Sequence, residues 1–136
     1  MVQKPFAQNI EQLTVENEDF RQVLYTGQHS QVVLMSIEPG DDIGEEVHHV
    51  DQFLRFEKGE GKSIVDGVEY PVTDGTAILV PAGARHNILN TGTGALKLYT
   101  VYAPPNHIDG RVHHTKADAA ADIKDEAFGE AVRDVL

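Results

Sequence analysis

The chain has no cysteine and no tryptophan among its 136 residues. Without thiols there can be no disulfide, no thiolate metal ligand and no cysteine nucleophile, so a metal site would need His, carboxylate and amide donors. Positive charge is also scarce: 11 Lys and Arg stand against 22 Asp and Glu, a formal net charge of −11. That balance argues against nucleic acid or an anionic membrane surface as partner, since both are held by a basic face. No apolar run approaches the roughly 20 residues that cross a bilayer. The opening MVQKPFAQNIEQ lacks the apolar core of a secretory signal, so a cytoplasmic location is expected.

At this length one domain with its own hydrophobic core is expected. Residues 1–19 are polar and form an arm. Residues 20–105 alternate β-branched and aromatic runs with turn residues at close intervals, the pattern of an all-β barrel or sandwich. FRQVLYT and SQVVLMSIE flank Gly27-Gln28-His29 as a hairpin. KSIV and VEYPV flank Asp66-Gly67, a strong hairpin signal. Residues 106–136 form a C-terminal loop and helix; TKADAAADIKDEAFGEAVRDVL is rich in Ala, Asp and Glu, with Gly129 as its weak point.

The most informative stretch is GTAILVPAGARHNILN, residues 75–90. It spaces Gly75, Pro81, Gly83, His86 and Asn90 in a way that resembles the second signature motif of the cupins. Upstream, PGDDIGEEVHHVDQFLRFEKGEG (39–61) is similar to the first cupin motif, with altered ligands. Anchored on Gly40 and Gly59, the motif's first His becomes Glu46, its second is His48, and its Glu becomes Gln52. Fifteen residues separate Gly59 from Gly75, a short inter-motif loop. The resemblance implies a double-stranded β-helix, an antiparallel jelly roll of two packed sheets, with a metal near its mouth and a homodimeric assembly.

Strand periodicity bears independently on the ligand set. Alternate residues of a strand share a face. Glu46, His48, Val50, Gln52, Leu54 and Phe56 fall on one face, which becomes apolar towards its end. His49 falls on the other and is not counted as a ligand. Polar groups inside a barrel are costly without partners, and a cation would satisfy them together. The expected metal ligands are Glu46, His48, Gln52 and His86, a mixed N/O set suited to Zn, Mn, Fe, Ni or Co. Without Gln52, two histidines and a carboxylate remain, the facial triad of non-haem iron oxygenases.

Other residues are candidates of a second rank. Pro81 and Gly83 shape the turn before His86, and Asn90 bonds backbone there. Arg85 adjoins the site and could meet an anionic substrate. Tyr102 shares parity with Leu96 and Leu98, so it faces the interior as a proton donor, a substrate contact or core. His107, His113 and His114 lie in a segment that either folds over the mouth, where a histidine would act as acid or base, or simply lies at the surface. Outward-facing Phe53 is a candidate dimer contact.

The resemblance leaves the reaction open, because one fold carries many functions. The expectation is a divalent-metal-binding cupin enzyme acting on a small oxygenated molecule. One version is an isomerase of sugars or sugar phosphates, since two His, one Glu and one Gln resemble in composition the zinc site of cupin-type mannose-6-phosphate isomerases. The other is a dioxygenase, without the Cys–Tyr crosslink of thiol dioxygenases. A non-enzymatic binding or sensor cupin is the alternative.

Overall fold

The computed structural model describes residues 2–132. After helix α1 (Ile10–Glu16) come β1 (Arg21–Thr26), β2 (Gln31–Ile37), β3 (Glu46–Val47), β4 (Asp51–Lys58), β5 (Glu60–Val65), β6 (Val68–Thr73), β7 (Ala77–Val80), β8 (Arg85–Asn90) and β9 (Leu96–Ala103). A short β10 (Val112–His113) precedes α2 (Lys116–Ala121) and α3 (Ile123–Ala131). A six-stranded antiparallel sheet, in the order β10-β1-β2-β9-β4-β7, faces a four-stranded one, β3-β8-β5-β6. This is the expected jelly roll, and it limits exposed edges by packing two sheets face to face.

The alternation read from the sequence sets the core. Gln52, Leu54 and Phe56 of β4, His86 and Ile88 of β8, and Leu96, Leu98 and Tyr102 of β9 are all buried. Both expected hairpins form, β1–β2 and β5–β6. In the second, Asp66 (φ 47°) and Gly67 (φ 82°) give the doubly left-handed turn that suits the strands' twist.

Three details depart from expectation. The strand read as continuous from Glu46 breaks at His48–Val50, because the chain there leaves the four-stranded sheet (β3) for the six-stranded one (β4). The side-chain parity nevertheless survives the break. The six-stranded sheet also extends past residue 105, since β10 pairs with β1 (Arg21 opposite His113). The C-terminal helix is two helices. Asp122 has non-helical backbone, and its Oδ1 caps α3 by accepting from Asp125 N–H. Residues 133–136 of that expected helix lie outside the described residues. The arm packs α1 against β9, β4 and β2, secured where Lys97 Nζ donates to Asn17 O at 2.7 Å.

Candidate functional site

The two motif stretches meet through their turns. Gly83, at φ 89°, donates its N–H to His48 O at 2.9 Å, and Ala82 N–H donates to Asp51 Oδ1 at 3.0 Å. The Pro81 turn thus holds the segment carrying His48 against the strand carrying His86. Asn90 is structural, as expected: its amide donates to Ile37 O and Gly94 O.

The sheets bring the four expected ligands to one end of the barrel. Glu46 of β3 lies directly opposite His86 of β8. The His48 and His86 rings are 5.0 Å apart, and His48 Nε2 is 3.3 Å from Glu46 Oε2. Gln52 comes in from the facing sheet, donating through Nε2 to the Tyr102 hydroxyl at 3.2 Å. A void of about 10 Å³, the space of a single water-sized sphere, lies among Glu46, Gln52, His86 and Tyr102.

Three observations bear on whether these residues suit a metal. Gln52 Oε1 is buried with no hydrogen-bond partner, an acceptor left open in the interior. His86 donates from Nδ1 to Ala84 O at 3.0 Å, which fixes the ring and leaves Nε2 as its ligand nitrogen. Burial first, then unfavourable electrostatics from the neighbouring His86, His107 and Arg21, push His48 down to about 3, so its imidazole is neutral at physiological pH. Burial also raises the Glu46 carboxyl above its ordinary range. The donor chemistry fits a divalent ion.

The positions are less complete. Glu46, His48 and His86 do not present one ligand atom each within 4.8 Å of one another. Among the described residues His113, Asp122 and Asp125 do. Those carboxylates already have partners. Asp122 Oδ2 receives His113 Nε2 and lies 2.9 Å from Arg111 Nε. Asp125 receives His107 Nδ1 at 2.7 Å and Ile108 N–H at 2.7 Å. With Arg111 and α3's own cap in place, that group is an ion-pair and capping network.

Above the small void opens a cavity of about 350 Å³, lined by Arg21, Glu46, His48, Asn106, His107 and residues of α2 and α3. The segment after β9 does fold over the mouth. His107 and His113 are buried (5% and 4% exposed), which corrects the surface reading; His114 alone is exposed, paired with Asp19. Tyr102 faces inward as expected, its ring between His48 and His107 at 5.6 and 5.0 Å, and burial raises its phenol well above the ordinary range. His107 Nε2 is buried and unpartnered. Desolvation lowers the His107 pKa, partly countered by Asp125. Burial, the largest single influence, would raise Asp125, but the hydrogen bond and charge of His107, the Ile108 N–H and Arg21 together hold the carboxyl below its ordinary value. A neutral imidazole fixed by a carboxylate is the arrangement of an acid–base group.

Arg85 does not join the site. Its side chain is 66% exposed and lies 3.5 Å from Glu45. His49 makes its contact with α3, 3.7 Å from Glu130. Phe53 faces outward, half-buried.

Four residues of this site carry no local motif. Gln31, fully buried, accepts from Asn106 N–H and His107 N–H and donates to His107 O, so it sets the loop over the mouth. Asn106 donates its amide to His48 Nδ1 at 3.3 Å. Turned end for end, the same amide would accept from Nδ1–H and free His48 Nε2 as a ligand. Gly129, read as the helix's weak point, is where α3 meets that residue: a Cβ there would lie 3.1 Å from Asn106 O. Arg21 and Asp125 complete the group. Parity within SQVVLMSIE would have shown Gln31 sharing a face with Val33, Met35 and Ile37.

The fold is thus a two-sheet jelly roll with a mixed His, Glu and Gln pocket at its mouth. The chain belongs to the cupin family: a cupin domain model matches residues 33–102. It is 54% identical to the uncharacterized protein YrkC of Bacillus subtilis, over 87% of this chain and 67% of that protein. It is 38% identical to the uncharacterized protein L612 of Acanthamoeba polyphaga mimivirus, over 76% of this chain and 68% of the relative. The crystal structure of BH2720 from Bacillus halodurans superposes with a TM-score of 0.85 at 51% identity, over 87% of this chain and 95% of that one.

Proposed function

We propose that the protein is a divalent-metal-dependent cupin enzyme that moves a proton on a small oxygenated molecule held at the barrel mouth. What carries this reading is the junction of two features: a water-sized void among Glu46, Gln52, His86 and Tyr102, and a buried His107–Asp125 pair whose Nε2 is free. Glu46, His48, Gln52 and His86 would hold the ion, which when bound polarises a carbonyl or hydroxyl oxygen. His107 takes or returns the proton through Nε2 while Asp125 fixes its tautomer and orientation. Tyr102, kept protonated by burial, donates a hydrogen bond beside it. The loop and α3 narrow access to water, and a cavity of about 350 Å³ suits a small metabolite.

Proton transfer favours the isomerase version over the dioxygenase. Elemental analysis of tag-free protein should find a stoichiometric divalent metal that is lost in His48→Ala and His86→Ala. Solvent deuterium should enter small ketoses or aldoses without oxygen uptake. His107→Ala should keep the metal and stop the exchange. Metal content unchanged in both ligand variants would defeat the metal assignment, and oxygen consumption would select the dioxygenase.

A second reading, a non-enzymatic binding cupin, draws on one observation: Glu46 engages His48, and the ligand atoms are not gathered. Ligand retention without turnover would favour it. Under either reading a homodimer is proposed, supported by Leu79 of edge strand β7, 62% exposed beside Phe53. A monomer at high concentration in analytical ultracentrifugation would remove it.

A further inference from the structure

Arg21 is the least explained charge in the molecule. It opens β1, opposite Met35 on one side and His113 on the other, and is 6% exposed. Its plane lies over Phe20, 5.3 Å from the ring centroid; its polar contacts are neutral, a hydrogen bond to His113 Nδ1 at 3.4 Å and the Tyr102 hydroxyl nearby. Nε is buried and unpartnered, and no carboxylate of the described residues lies within 4.0 Å of the guanidinium. A guanidinium cannot answer burial by giving up its proton. Such a group costs stability unless something anionic meets it.

The side chain lines the larger cavity with Glu46, His48, Asn106 and His107. Its charge reaches across that space, contributing to the shifts of Glu46, His48, Tyr102, His107 and Asp125. A second cation, Lys116, stands at the cavity wall but is tied to Asp41 and Asp42. Glu46, Asp125, Glu126 and Glu130 also line the cavity. One available fork among carboxylates matches a single negative charge better than a phosphate dianion.

We infer that Arg21 anchors the carboxylate of a small oxygenated acid, a hydroxy or keto acid, in the cavity above the Glu46–His86 pocket. The planar fork meets a carboxylate edge-on through two parallel N–H donors, which also orients the rest of the molecule towards His107. This deepens the enzyme reading by naming its substrate class, but the anion site itself does not require a metal.

The test uses metal-stripped protein, with glycolate as probe and inorganic phosphate and uncharged ethylene glycol as comparisons. Glycolate should bind and shift the Arg21 Nε–Hε resonance in NMR spectra. Arg21→Met should weaken binding at least about tenfold, the scale of lost charge-assisted hydrogen bonds, while Arg85→Met, whose side chain lies outside the site, binds as the parent does. Arg21→Met should also unfold at the same or a higher temperature, since it removes an uncompensated buried charge. Should that variant fail to fold, the resonance shift in the parent still decides. Overturning results are glycolate binding unchanged in Arg21→Met, tighter binding of phosphate than of glycolate, or no movement of the Arg21 resonance. Binding that needs the metal and ignores Arg21 would overturn this inference while leaving the metal reading intact.

Discussion

The same strands build two ends of the barrel interior, and they build them from different chemistry. At one end Phe56 of β4, Ile88 of β8, and Leu96 and Leu98 of β9 are 0–1% exposed in hydrocarbon surroundings. At the other end the same strands carry Gln52, His86 and Tyr102, also at most 5% exposed, joined by Arg21 and His107. The first end is closed by packing, although the small hydroxyls of Ser63, opposite Ile88, and Thr100, opposite Leu54, are also buried without a partner. The second is as buried, but its unpartnered atoms, Gln52 Oε1, His107 Nε2 and Arg21 Nε, lie around two cavities. Buried polar groups left unsatisfied in a native fold mark where something else is meant to sit. The dry end stabilises the barrel, and the polar mouth spends part of that stability on a site.

The comparison can be broken by substitution, and the largest effect should come from the dry end. Gly61 of β5 lies so close to β8 that a Cβ would overlap Leu89 O and lie 2.8 Å from Leu96 Cδ2. Gly61→Ala should cost more than about 4 kcal/mol, or prevent soluble expression, as read by urea unfolding. Phe56→Ala follows, at about 3–5 kcal/mol from lost burial plus the cavity left behind. A loss under about 1 kcal/mol would show that the dry end is not the stabilising one.

At the mouth the effects should be smaller and pH-dependent. The His113 hydrogen bond leads the causes that hold Asp122 down to about 2 against an ordinary 3.8. A carboxyl lowered on folding stabilises above its unfolded pKa, and that contribution disappears as pH falls through the folded one. Stability should therefore drop between about pH 4 and pH 2, and Asp122→Asn should flatten that slope. An unaltered acid limb would remove Asp122 from the strap over the mouth. The smallest change is expected from Gln52→Leu combined with Tyr102→Phe, which removes both partners of one buried hydrogen bond. Stability should move by less than about 1 kcal/mol, because the orphaned Oε1 goes with them. A large loss would mean that the polar mouth also holds the barrel together.

The parts legible in the sequence are those fixed locally. Strand parity placed Gln52, Leu54, Phe56 and Tyr102 inside, and left-handed residues at Asp66, Gly67, Gly75 and Gly83 fixed turns whose spacing could be read directly. Glu46 and His86 were legible for the same reason. Gln31, Asn106 and Asp125 were not, since each acts on a residue 17 to 76 positions away, through contacts no local pattern encodes. Arg21, second in FRQVLYT, shares parity with Val23, which points into the core, but a lone charge near the start of a strand carries no local signal of a site. The break at Asp122 had a local sign, an Asp placed to cap three residues ahead, but the alanine-rich composition masked it.

The central claim is that a cation belongs among Glu46, His48, Gln52 and His86 and not in the more tightly gathered acidic group at the C-terminal helices. An anomalous difference map from crystals of the metal-loaded, tag-free protein tests this directly. The account predicts a peak between β3, β8 and β4, with Glu46 drawn in to share it with both histidines. A peak at His113, Asp122 and Asp125, or none in the barrel at full metal loading, would contradict it.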